Sequence, residues 1–232
     1  MTDHPRDTRD RLLDAAESLF AERGYDAVSI RDIAATAEVN VAAVNYHFHG
    51  KDRLYHEVLR RVITAKRDRH LAVMETVLAD ETQDLAAAIR AFFRCHFDDV
   101  LRSDEGGNFL MLFVRELHAG SPDGARMIHE LLQPMWDSLG RAVLANLPAA
   151  DPALAPWIVG SLHGQLIHFT MRWHTAHGGG CHAGPPEAMR LLFPPLAEDV
   201  DRYIDLAVEH ITRFSVAGIQ SVAAGQPQEG SS

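Results

Sequence analysis

Residues 8–54 read TRDRLLDAAESLFAERGYDAVSIRDIAATAEVNVAAVNYHFHGKDRL. Leu12, Leu13, Ala16, Leu19 and Phe20 recur at helical spacing and give one apolar stripe along Thr8 to Arg23. Gly24 follows, where a left-handed cap ends a helix. Ser29 opens a second, short helix, and Asp32 three residues on resembles a capping box, although Glu or Gln is the usual partner. Ile30, Ile33, Ala34 and Ala37 form its inward face, and Glu38–Asn40 breaks the pattern. Asn40 caps a third helix, VAAVNYHF, with Val44 and Phe48 facing in. Three short helices with a tight turn between the second and third are helix-turn-helix architecture.

Outward from this stretch, the chain has 232 residues, 47% apolar and 23% charged, as expected of an ordinary globular protein. No apolar run reaches the roughly 18 residues a membrane helix needs. The N-terminus, MTDHPRDTRD, is charged where a signal peptide is apolar. Only Cys95 and Cys181 occur, which excludes a disulfide framework and fits a reducing compartment. A cytoplasmic location without membrane contact is the expectation. The net charge is −10, and its distribution matters more than its size. Residues 1–70 hold 12 Lys/Arg and 12 Asp/Glu; residues 71–232 hold 10 and 20. A neutral head on an acidic body leaves only the head to approach an anionic polymer, through placed contacts rather than bulk charge.

The body reads as helices throughout, with no run of alternating strands. Lys51 starts a long fourth helix to about Leu78, and residues 82–103 form a fifth. Gly106 and Gly107 precede a sixth, NFLMLFVRELHA, apolar enough to be buried nearly all round. Residues 123–147 form a helix that Pro134 should kink or divide. Residues 153–177 and 196–220 are two more, separated by the Gly/Pro-rich loop 178–195. The predicted class is all-α with about nine helices. The predicted organisation is a helix-turn-helix domain over 1–50, a helical body over 51–222 and a disordered tail over 223–232.

The spacing of Gly24, Ile33-Ala34, Val39, Tyr46-His47-Phe48 and Lys51 resembles the N-terminal domain of the TetR/AcrR family of bacterial transcriptional regulators. The run VNVAAVNYHF resembles one subgroup, which also carries a VRE segment and a Gly-Gln pair, here Val114-Arg115-Glu116 and Gly164-Gln165. The resemblance implies a dimeric, DNA-binding repressor of a palindromic operator, released by a small molecule. Independently of the name, a short helix with small residues at its start can enter a major groove roughly 12 Å wide. Val41, Ala42 and Ala43 allow close approach and suit thymine methyls, Asn45 can pair with an adenine edge, and Tyr46 can reach a base or phosphate. Ser29 and Arg31 sit where free N–H groups favour phosphate, and Arg31 reaches a guanine or else pairs with Asp32 or Asp26. Asn40 is a cap before it is a base reader. The resemblance places His47 and Lys51 at phosphates.

In that family the last two helices form a four-helix bundle with a second subunit, and the middle helices enclose an effector. By order, 153–177 and 196–220 would be the homodimer helices, with stripes Ile158, Leu162, Leu166, Phe169 and Ile204, Val208, Ile211, Phe214. The same stripes also suit packing within one monomer. Candidate effector contacts are Phe93, Phe97, Phe113, Arg115, Glu116, His163 and Gln165, drawn from an apolar and aromatic interior that also offers Phe92, Phe109, Met111, Trp136 and Trp173. His174, His177, Cys181 and His182 are metal-ligand types at close spacing but match no zinc pattern, so no metal or cofactor is expected, and a metal-responsive regulator is the alternative. Phosphate loops, nucleophile elbows and HExxH are missing, and Cys95-His96 point about 100° apart on a helix. The expectation is a regulator rather than an enzyme.

Overall fold

The computed structural model describes residues 7–80, 82–102, 112–113, 116, 122–148, 150–177 and 196–224. Among them are eight α-helices, one 3-10 turn and no strand. The helices are α1 (Thr8–Arg23), α2 (Ile30–Thr36), α3 (Val41–Phe48), α4 (Lys51–Ala79), α5 (Leu85–Leu101), α6 (Pro122–Ala145), α7 (Ala155–His177) and α8 (Val200–Ala224). Two compact units divide the chain: residues 1–65 with 104–131, and residues 66–103 with 132–232.

In the first unit α1 packs against α2 and α3. Leu12, Ala16, Leu19 and Phe20 of α1 meet Ile33 and Ala34 of α2, Val44 and Phe48 of α3, and the apolar face of α4's first turns, all at most 5% exposed. The local signals act as the residue types require. Ser29 Oγ accepts from the Asp32 N–H at 3.2 Å while Ser29 N–H donates to Asp32 Oδ2 at 2.8 Å, a complete capping box with aspartate in the glutamate's place. Asn40 Oδ1 caps α3 by accepting from the Ala42 N–H at 2.8 Å. Between α2 and α3, Glu38 takes φ +53°, and the Val39 N–H closes onto the Ala34 carbonyl at 2.9 Å. A non-glycine residue held at positive φ is uncommon, and this one makes the tight turn. Gly24 has φ +84° and ψ 165°, so it is not the left-handed cap expected; the chain leaves α1 extended, in a region open essentially to glycine alone.

In the second unit α5 packs against α7 and α8. Asp84 caps α5 from outside by accepting from the Ala87 N–H at 2.7 Å, which starts the helix later than its apolar pattern suggests. Ile89, Phe92, Phe93, Phe97 and Val100 of α5 are wholly enclosed, with Ile204, Ala207, Val208 and Ile211 of α8. The Tyr203 hydroxyl donates to the Phe169 carbonyl at 2.6 Å and ties α8 to α7. Pro134 does not divide α6, which runs unbroken from Pro122 to Ala145. The missing N–H removes one bond, and the buried stripe Leu131, Met135, Leu139 holds the helix through it. Ala223 and Ala224, expected in the tail, are the last residues of α8.

The apolar stripes proposed for a dimer face inward instead. Ile158, Leu162 and Leu166 on α7, and Ile204, Val208 and Ile211 on α8, are at most 6% exposed in the single chain. Phe214 alone of those residues is strongly exposed, at 66%. The periodicity locates an apolar face but does not say which surface covers it. Most of the expected sixth helix and the loop 178–195 lie outside the described residues, although Leu112, Phe113 and Glu116 are helical.

Candidate nucleic-acid interface

The geometry of α3 separates its two faces cleanly. Val44 and Phe48 are sealed in the head's core, at 0% and 3% exposed. Tyr46 is 80% exposed and Val41 41%, and Asn40, Ala42 and Asn45 are also exposed. Ala43 and His47 are half-buried between the faces, and the His47 ring stands edge-on to Tyr46 at 5.0 Å. Among the described residues the Asn45 side chain has no hydrogen bond or ion pair, and the Tyr46 ring meets only that of its neighbour His47. Arg31 is exposed and forms no ion pair among the described residues, so the pairing with Asp32 or Asp26 is not found. Asp32 belongs to the capping box, and the Ser29 hydroxyl donates to its carboxylate at 2.6 Å. That bond and the Ser29 N–H hold the Asp32 pKa below its usual value. Lys51 heads α4 with its Nζ 4.1 Å above the Tyr25 ring.

Sequence reasoning missed the long-range contacts that brace this surface. Arg61 of α4 donates to Asp14 at 2.8 Å and Glu17 at 2.5 Å on α1. Arg9 reaches Glu57 at 2.8 Å and lies over the Phe48 ring at 5.3 Å. These partners lie 44 to 48 residues apart in sequence, or on a face that periodicity assigns to solvent. Each such part-exposed pair contributes little alone, so they orient rather than hold the head.

The candidate effector residues are scattered. Phe93 and Phe97 are fully enclosed in the second unit. There the His163 ring lies 4.5 Å from Trp136, and burial lowers its pKa. Gln165 is elsewhere: its Nε2 donates to Ser215 Oγ at 3.0 Å in an open groove between α7 and α8, beside Trp157 and Phe214. Phe113 and Glu116 belong to the first unit, and Arg115 lies outside the described residues. Glu116 is 4% exposed, and its Oε1 has no hydrogen-bond partner among the described residues. A Cβ on Gly124 would collide with that carboxylate, so a larger residue there would require the Glu116 side chain to move. Of the metal-ligand types, Cys181 and His182 lie outside the described residues. The His177 ring stacks on Trp173 at 3.7 Å with its Nδ1 3.1 Å from the Trp173 carbonyl. No three His, Cys, Asp or Glu side chains are grouped to hold a metal among the described residues.

Two histidines are buried, His70 and His96, and His96 falls on the inward stripe of α5. His96 Nε2 is 3.1 Å from Thr170 Oγ1 across to α7. His70 Nδ1 is 2.9 Å from the Lys66 carbonyl, so that nitrogen carries the proton. The two rings are 5.8 Å apart. Burial first, then the neighbouring His70 and Lys66, holds the His96 pKa well below its usual value, and burial lowers that of His70. A base whose pKa is depressed by folding is neutral in the native state and takes its proton on unfolding. Stability from these residues is therefore complete above about pH 6.5 and is lost as pH falls below it. We expect the melting temperature to fall between pH 7.5 and 5.5. In His96→Gln, which keeps a partner for Thr170, the fall should be smaller; an equal fall would place its source elsewhere.

Comparison with known proteins gives these features a context. Residues 12–58 match the family model of the bacterial regulatory proteins, tetR family. Over 104 residues the chain is 32% identical to the HTH-type transcriptional repressor KstR2 of Mycolicibacterium smegmatis, covering 44% of this chain and 51% of KstR2. It is 27% identical over 133 residues to the HTH-type transcriptional regulator BetI of Rhizobium meliloti, covering 52% of this chain and 65% of BetI. The match thus spans about half to two-thirds of these relatives' length. A tetR-family regulator structure from Mesorhizobium loti superposes with a TM-score of 0.62 at 20% identity, over 89% of this chain and 96% of that one. The fold is that of this solved structure, and residues 12–58 of this chain are similar to the N-terminal region of the tetR family of bacterial regulatory proteins.

Proposed function

We propose that this chain is a DNA-binding transcriptional regulator, a repressor that holds a palindromic operator as a homodimer and is released by a small molecule. The observation that carries the reading is the exposed face of α3. Val41, Asn45 and Tyr46 project from a helix whose opposite side, Val44 and Phe48, is locked into the head. A short helix so presented suits the major groove, with Arg31, His47 and Lys51 flanking it toward the backbone. Its recognition helix and the VRE segment assign it, in our reading, to the subgroup that shares them.

One such helix binds weakly, and two heads on one duplex require a dimer. Support for one comes from the groove between α7 and α8. Residues 155–171 carry no Lys, Arg, Asp or Glu, yet Trp157 is 75% exposed, Ile167 41% and Met171 37%. Phe214 and Val222 of α8 are exposed at 66% and 52%. Added Cβ atoms at Gly160, Gly164 and Gly218 would meet nothing within 4 Å, so another helix can approach closely there. An uncharged stretch of α7 with exposed Trp157, beside exposed Phe214 of α8, is the kind of surface a partner covers. The effector belongs to the body in this reading. It must bind the DNA-incompetent conformation more tightly, and by linkage DNA must weaken its binding. No helix among the described residues is long and apolar enough to cross a membrane, consistent with action in the cytoplasm.

The test is selection from a random duplex library by the purified full chain, with and without zinc. Enrichment of a two-fold symmetric site is expected in both conditions. Failure to enrich any sequence would remove the regulator reading, and loss of enrichment on adding zinc would favour the metal-responsive alternative.

A further inference from the structure

We infer that Tyr25 is a positioning residue for DNA-backbone binding: it occupies Asp52 and thereby keeps the charge of Lys51 free for a phosphate. The inference rests on the DNA-binding reading above and adds to it a residue outside the recognition helix.

Tyr25 follows Gly24, whose positive φ turns the chain away from α1. Its ring packs against Phe20 at 5.8 Å and Tyr55 at 5.1 Å, so the ring is fixed by the head's core. Two groups from the first turn of α4 meet it. The Tyr25 hydroxyl donates to Asp52 Oδ1, and Lys51 Nζ sits 4.1 Å above the ring centroid. Burial and the adjacent Asp52 push the phenol up to about 12, so it stays a donor throughout the working range.

Lys51 and Asp52 are sequence neighbours of opposite sign. Neighbours of this kind do pair in this protein: Arg67 meets Asp68 at 2.7 Å and Arg23 meets Glu22 at 3.6 Å. Lys51 and Asp52 form no such pair. The carboxylate is turned to the phenol, and the ammonium lies on the π face. A cation on a ring face is held in place but not neutralised, because the ring carries no net charge. Lys51 is therefore restrained without a carboxylate cancelling its charge, at the start of a helix whose free N–H groups also favour an anion. Without the hydroxyl, Asp52 turns to Lys51 and cancels it.

The experiment measures binding of the selected operator duplex between 50 and 200 mM NaCl for the full chain and for Y25F, D52N, Y25F/D52N and K51A. Phenylalanine keeps the packing with Phe20 and Tyr55, and unchanged circular dichroism melts verify the fold. Each lost phosphate contact lowers the slope of log affinity against log salt by about 0.9, hence by about 1.8 for two heads. Y25F is expected to lose as much slope as K51A. D52N alone keeps the wild-type slope, and Y25F/D52N restores it, which a merely structural role for Tyr25 does not explain. A wild-type slope in Y25F, or no recovery in the double variant, would overturn the inference while leaving DNA binding intact. Absence of wild-type binding at any salt concentration would overturn both.

Discussion

Tyr46→Ala and Asn45→Ala are each expected to weaken operator binding by roughly 1–3 kcal/mol per half-site, or about five- to 150-fold, and to leave the head folded. The folded state is expected to be indifferent because neither side chain supports it. Tyr46 is 80% exposed, and the interior side of α3 is carried by Val44 and Phe48. The losses should differ in kind from that of K51A. A lost base contact relaxes sequence preference at one position of each half-site and leaves the salt slope nearly unchanged. A lost phosphate contact weakens every sequence and flattens the slope. Titrating labelled operator and a scrambled duplex with each variant separates the two. If both alanine variants bound the operator as the wild type does, α3 would not be the reading helix. The fold would then be presenting Asn45 and Tyr46 to something else.

The parts of this fold legible in the sequence are those governed by local chemistry. Ser29 with Asp32, Asn40 before VAAVNYHF, and the stripe from Leu12 to Phe20 act within one or two helical turns, and the structure realises each. Gly24 was legible as a necessary glycine but not in its conformation, because a positive φ is compatible with more than one ψ. What stayed hidden depends on partners far apart in the chain. Arg61 meets Asp14 and Glu17, His96 meets Thr170, and Tyr25 meets Asp52; neither hydropathy nor spacing encodes these pairings. The same limit explains the stripes on α7 and α8. Period 3.6 identifies Ile158, Leu162 and Leu166 as one face, and only the fold shows that α5 and α8 of the same chain cover it. The large apolar side chains still exposed include Trp157, which lies off the stripe, and Phe214, which ends it, with Gly160, Gly164 and Gly218 nearby.

That remaining face carries the other large effect. Trp157→Glu and Phe214→Glu are each expected to convert a dimer to monomers at micromolar concentration, with helix content unchanged. Both side chains are mostly exposed in the single chain, at 75% and 66%, so its fold does not depend on them. In a two-fold interface every substitution occurs twice. Burying a large apolar side chain contributes about 1.5–3 kcal/mol, so its loss on both sides removes about 3–6 kcal/mol. The introduced carboxylates add repulsion to a body that already holds 20 Asp/Glu against 10 Lys/Arg over residues 71–232. Sedimentation equilibrium measures the mass directly, and operator binding follows it. A monomer with an intact head keeps single half-site contacts but loses the joint engagement of both, so its affinity for the palindrome falls steeply while its residual binding becomes insensitive to half-site spacing. A variant that stayed dimeric at the wild-type dissociation constant would show that this groove is not where two copies meet. A monomeric variant with full operator affinity would show instead that one head suffices, and the two-fold site would lose its structural reason.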